Sequence, residues 1–116
     1  MSQDVIVRYP KDEIAVFDLE AIRDTAVHNS ISSDNSQFHL KTIVISNGLN
    51  QTVTLQVQGS RDNSTWINIG STFDVAASTN TYQTSDTFFP FMRITAICSV
   101  APASGTLSAW FELLGG

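Results

Sequence analysis

Residues Val53 to Gly70 read VTLQVQGSRDNSTWINIG, and the alternation at their start decides the fold. Val53, Leu55 and Val57 alternate with Thr54, Gln56 and Gln58, so an extended chain presents an apolar row to one side and an uncharged polar row to the other. Gly59 and Ser60 end that pattern, and Arg61-Asp62-Asn63-Ser64 supplies turn formers. Thr65 to Ile69 then resumes with β-branched and aromatic side chains, the signature of a hairpin. A two-stranded ribbon is marginal alone in water, so the flanking segments must provide further strands and a second layer.

Upstream, Val5, Val7 and Tyr9 form an alternating strand that ends at Pro10, a residue suited to a sheet edge. Ile14 to Leu19 is a second apolar run. Asp18 to Val27 is ambiguous, because Leu19, Ile22 and Ala26 also fall at helical spacing behind a potential Asp18 cap. His28 to Gln37 (HNSISSDNSQ) reads as a surface loop. Phe38 to Ser46 reads as a strand that is apolar on both faces around Ile43-Val44-Ile45, hence central or at an interface. Asn47-Gly48 then carries the strongest hairpin signal in the chain.

Downstream, Phe73 to Val75 and Thr79 to Thr84 are shorter strand candidates around a turn at Ala76-Ala77-Ser78. Phe88 to Ser99 is the longest. Met92, Ile94, Ala96 and Cys98 point one way and Phe91, Arg93, Thr95 and Ile97 the other, with Pro90 marking its start or a bulge. After a loop at Ala101 to Gly105, Leu107, Ala109, Phe111 and Leu113 alternate with Ser108, Trp110 and Glu112 in a final strand. Seven or eight short strands with regular turn signals predict an all-β fold: one antiparallel β-sandwich, C2-like or jelly-roll-like, over residues 1–116.

At 116 residues the chain is long enough for one domain with a real core and too short for two ordinary ones. Charged residues make up 15% of it, against roughly 25% in typical soluble domains. After Lys41 only Arg61, Asp62, Asp74, Asp86, Arg93 and Glu112 are charged. Ser, Thr, Asn and Gln cover the surface instead, and such a surface does little to oppose self-association. A net charge of −5 with no basic run argues against nucleic-acid or anionic-membrane binding. Met1-Ser2-Gln3-Asp4 lacks the features of a secretory signal, and no apolar stretch is long enough for a membrane span, so a cytoplasmic or virion location is expected. Cys98, the only cysteine, is expected to be a small buried hydrophobe.

No residue set announces a catalytic site. Asp18, Glu20 and Asp24 cluster as a solvated acidic face does, and His28 and His39 lack partners at metal-ligand spacing. There is no phosphate loop and no nucleophile elbow. Arg61 to Ser64 carries oxygen donors, yet lacks the several carboxylates a calcium loop needs. The expectation is therefore a protein that is not an enzyme and has neither metal nor cofactor. The aromatic residues are more informative. Trp66, Tyr82 and Trp110 suggest a sugar-stacking platform. Phe91, Arg93, Ile97 and Trp110, on the nominally outer sides of two strands taken as adjacent, suggest instead a surface covered by the N-terminal segment or by another copy of the chain.

Gly59, Ser60, Asp62 and Trp66 form a Gly-Ser-x-Asp-x-x-x-Trp hairpin. With the aromatic-Arg strand FFPFMR and the Ala101 to Leu107 segment APASGTL, read as a further hairpin, it resembles small β-sandwich proteins encoded by tailed bacteriophages and prophages. These include the XepA/YomS-like lytic-cassette proteins and the phage head-decoration and tail-associated proteins. The resemblance implies a C2-like sandwich without calcium loops and no catalytic residues. It also implies a ring-shaped homo-oligomer, pentameric in the XepA-like branch, with a trimer as the alternative, touching other phage proteins in the virion or the lytic cassette. Longer members carry two such domains, and this chain has room for one. The rival readings are a carbohydrate-binding module and a lysis accessory acting at the membrane.

Overall fold

A computed structural model of the chain describes residues 11–35 and 40–114. Nine strands follow in order among them: β1 (Lys11–Glu20), β2 (His28–Asn29), β3 (Ser33–Asp34), β4 (Leu40–Asn47), β5 (Val53–Ser60), β6 (Trp66–Val75), β7 (Thr79–Ser85), β8 (Phe91–Ile97) and β9 (Leu107–Leu114). They form two sheets, one ordered β1-β9-β4-β7 and the other β2-β8-β5-β6, with β3 also pairing to β8. Every ladder is antiparallel. The chain is an all-β sandwich, as the alternation predicts, and its described residues contain no helix.

The alternating rows define the interior. Val53, Leu55 and Val57 of β5 and Met92, Ile94 and Ala96 of β8 are buried on one sheet, and Leu107, Ala109, Phe111 and Leu113 of β9 with Ile43 and Ile45 of the neighbouring β4 are buried on the other. Cys98 is buried in the same cluster, and burial pushes its thiol up from the ordinary range. The Val53 to Gly70 hairpin forms by pairing β5 to β6. β6 runs on to Val75 and so absorbs the separate Phe73 to Val75 strand. The excess residues are taken up by an irregularity between Leu55 and Val57. There Gln56 turns its amide to the Ile69 and Gly70 carbonyls at 3.1 and 3.3 Å, which satisfies backbone oxygens that the ladder leaves open.

Three local expectations differ from the structure, and one ambiguity is resolved by it. Asn47-Gly48 makes no hairpin, because β4 and β5 belong to different sheets. Asn47 is buried, and its Nδ2 donates to the carbonyls of Gln51, Val75 and Ala76 at 3.1, 3.0 and 3.2 Å. Its Oδ1 accepts from the Leu49 amide at 3.0 Å. It is a staple between two sheet-to-sheet crossovers. The Ala101 to Leu107 segment is likewise a crossover from β8 to β9, docked on the first by Gly48 N to Thr106 O at 2.8 Å and Ala103 N to Asn50 Oδ1 at 2.9 Å.

The stretch after Asp18 is not helical. The backbone is left-handed at Leu19, φ 51°, and the chain drops Ile22 into the core. The polar stretch from His28 pairs with β8 through β2 and β3 instead of looping over the surface. Ser30 and Ser33 are buried, and the Ser30 hydroxyl accepts from the Ile94 amide at 2.8 Å. Small hydroxylic side chains thus satisfy the free edge of β8. The strand read at Val5 to Tyr9, like the Phe38 and His39 end of the next, lies outside the described residues.

Candidate interaction faces

With one side of each sheet buried, the chemistry of this protein sits on two flat outer faces, and cross-strand register decides which side chains meet there. On the β2-β8-β5-β6 sheet, Gln58 pairs with Arg93 and Asn68, and Ser60 with Phe91 and Trp66. Arg93 Nε donates to Gln58 Oε1 at 2.8 Å, and Gln58 Nε2 donates to Asn68 Oδ1 at 2.9 Å. The Arg93 guanidinium also lies over the Trp66 ring, 4.3 Å from its centroid, a geometry in which the cation is held by the ring quadrupole. A polar row of Arg93, Gln58 and Asn68 therefore runs beside an aromatic row of Phe91, Ser60 and Trp66.

At the hairpin tip next to Trp66, the Asp62 carboxylate accepts from the amides of Thr65 and Ser64 at 2.8 and 3.0 Å and from the Ser60 hydroxyl at 3.1 Å. The Thr65 and Ser64 amides, then the hydroxyl, hold it below the usual carboxylate range. Turn closure accounts for these oxygens. Among the described residues no group of three or more His, Cys, Asp or Glu side chains stands where it could hold a metal ion.

On the β1-β9-β4-β7 sheet, Trp110 pairs with Ala15 on one side and Val44 on the other, and Val44 pairs with Tyr82. The four residues make an apolar belt across the whole sheet, and Tyr82 at its edge is 68% exposed. The neighbouring row sets Glu13 directly opposite Glu112, with Thr42 and Thr84 completing it. Partial burial, then the charge of Glu13, pushes the Glu112 carboxyl up. A cleft of about 600 Å³ opens beside that row and is lined in part by Glu112, Thr84, Asp86 and Lys41. Lys41 is almost wholly buried, donates from Nζ to the Thr87 carbonyl at 2.7 Å, and has its ammonium pKa lowered by burial.

The structure separates residues that the sequence groups together. β8 and β9 are consecutive in the chain but lie in different sheets, so Phe91, Arg93 and Ile97 share one outer face while Trp110 lies on the other. Of the three candidate stacking rings, Trp110 and Tyr82 share a face with Val44 between them, roughly 10 Å apart across two strand spacings. Trp66 is on the opposite face with one side of its ring under Arg93. Val44 stands out in the sequence, since its strand reads as apolar on both faces, but the parts of Ala15, Glu13, Gln58 and Asn68 depend on their cross-strand partners, and one-dimensional spacing does not carry that pairing.

The fold and its faces define a small all-β sandwich whose surface chemistry is spread over flat sheets. Solved structures of that class match it closely. The PBSX exported protein XepA aligns over 90% of this chain with a TM-score of 0.72 at 15% identity, and the chain spans 37% of XepA's length. The SPBc2 prophage-derived protein YomS aligns over 97% of this chain and 100% of its own, with a TM-score of 0.64 at 10% identity. A subunit of Bacillus endospore appendages, described as disulfide-linked pili, covers 100% of this chain and 98% of its own, with a TM-score of 0.54 at 13% identity. At these identities the likeness shows a shared fold, that of small prophage β proteins. No protein-family model and no curated protein matches the sequence.

Proposed function

We propose that this chain is a non-enzymatic structural or accessory protein of a phage or prophage, which assembles with copies of itself into a ring and contacts other phage components. The observation that carries the reading is the apolar belt Ala15, Trp110, Val44 and Tyr82 on an outer face, in a chain whose surface carries few charges to keep copies apart. The fold shared with XepA and YomS supports the phage assignment, and a fold shared with a pilus subunit is in keeping with assembly. The ring is read as a pentamer, with a trimer as the alternative, in the virion or the host cytoplasm. Light scattering on the eluting protein at micromolar concentration tests this: a discrete oligomer supports it, and a strict monomer contradicts it.

A carbohydrate-binding role is the second reading, favoured by the shared face of Tyr82 and Trp110. Trp66 contributes less to it, since Arg93 occupies one side of its ring. A glycan array without hits removes that reading. A lysis accessory at the membrane has less support: the net charge is −5, and the described residues include no basic amphipathic helix of the kind that binds lipid surfaces.

A further inference from the structure

We infer that the two outer faces of the sandwich are complementary to each other, so that the Arg93 and Trp66 face of one copy docks on the Glu13 and Glu112 face of the next. The inference rests on the self-assembly reading and specifies its geometry: a head-to-tail contact rather than a symmetric one.

Each face carries an aromatic row beside a charged or polar one, and the step between them is the same. On β8, Phe91 and Arg93 are two residues apart. On β9, Trp110 and Glu112 are two residues apart. Two residues along a strand span about 7 Å, so laying aromatic row on aromatic row brings the Arg93 row onto the carboxylate row.

The charges on the two rows are opposite and, among the described residues, each is incompletely answered. Arg93 spends Nε on Gln58 and lies flat on Trp66, and among the described residues neither terminal nitrogen has a hydrogen bond. That leaves the planar fork a carboxylate accepts. Glu13 and Glu112 face each other as like charges, a pairing that destabilises a sheet and that an incoming guanidinium would relieve. Two identical faces meeting would bring two Arg93 side chains, or two carboxylate pairs, into one interface without the opposite charge, so a symmetric dimer lacks the complementarity of the head-to-tail contact.

Other acids on the Arg93 face lie off its row. Asp34, on the strand beside Arg93, pairs with Phe91 one row away, and Asp74 accepts from the Thr54 hydroxyl at 2.6 Å. The size is adequate: β2 and β3 lie end to end along β8, so each face is four strands wide, and at about eight residues long it covers on the order of 500 Å², or about 1,000 Å² in total, the lower end of what a specific interface needs. The two faces lie on opposite sides of the sandwich, so successive copies stack along the sheet normal, and a ring closes only where each contact is also tilted.

Charge reversal on each face, read by sedimentation velocity, tests the pairing. Arg93→Glu alone and the double variant Glu13→Lys/Glu112→Lys alone are each expected to weaken assembly by at least about 30-fold. Combining all three changes in one chain, which recreates an opposite-charge contact at every step of the assembly, is expected to restore it. Arg93→Glu uncovers Trp66 and risks the fold, whereas the carboxylate-face variant exchanges one like-charge pair for another of opposite sign and so adds no new cross-strand repulsion, which keeps the test valid. A wild-type oligomer that ignores either reversal, or that the three changes combined in one chain do not restore, overturns the pairing while leaving self-assembly standing. A wild-type monomer at every concentration, with the belt left to residues 1–10 or to another protein, overturns both.

Discussion

The guanidinium of Arg93 lies 4.3 Å from the centroid of the Trp66 ring, reaching from β8 across β5 to β6. The reach is open because Ser60, whose side chain is small, stands between Phe91 and Trp66 in the intervening strand. Arg93 is further aligned by Gln58, so its orientation is set by two strands at once. Removing this contact by Arg93→Ala is expected to lower stability by about 1 kcal/mol. A double-mutant cycle with Trp66→Ala in urea should return a coupling of roughly 0.5–2 kcal/mol. Additive effects would show the stacking to be energetically idle.

The Glu13 and Glu112 pair predicts a stability that depends on pH. The folded state raises the Glu112 pKa, by partial burial and then by Glu13, so the native protein holds its proton more tightly than the unfolded chain does. The penalty is absent below the unfolded value, about 4.3 for Glu, and is complete above the raised folded value. Glu112→Gln is therefore expected to raise Tm at pH 7 and to leave it unchanged at pH 3.5, measured by calorimetry.

Asp62 has the opposite sign. Its carboxylate is held below the usual range by the Thr65 and Ser64 amides. It therefore contributes stability above the unfolded pKa, which is lost as pH falls through the lowered folded value. Asp62→Ala should lower Tm at pH 7 and speed amide exchange at Ser64 and Thr65, with the difference from wild type shrinking in acid.

Gly105 stands at φ +87°, and a Cβ there would collide with the Gly48 carbonyl oxygen. Two crossovers approach so closely at this point that only glycine fits. Gly105→Ala is expected to cost at least about 2–3 kcal/mol, read from the denaturant midpoint. Gly70, whose added Cβ would meet nothing within 4 Å but whose φ is also positive at +68°, should cost less on the same change.

The interior of this fold was legible wherever one face of a strand is apolar, as at Val53 to Val57, Met92 to Cys98 and Leu107 to Leu113. Those rows fall on the core with their alternation intact. What spacing could not supply was the sheet to which each strand belongs. Asn47-Gly48 is a hairpin signal in the chain, but the Asn47 side chain satisfies three carbonyls of neighbouring crossovers, and that long-range bonding overrides the local turn preference. Phe91 and Trp110 look like neighbours for the same reason and lie on opposite faces. Ser30 and Ser33 read as loop residues, because polarity in a sequence does not distinguish solvent from an open strand edge.

Burial of the Ala15, Trp110, Val44 and Tyr82 belt between copies is the claim on which the proposed function stands, and Val44 sits at its centre. The most direct measurement is sedimentation velocity of the wild type beside Val44→Arg, with circular dichroism confirming that both are folded. The expected result is a discrete oligomer for the wild type and a folded monomer for the variant. A monomeric wild type, or a variant that assembles as the wild type does, contradicts it.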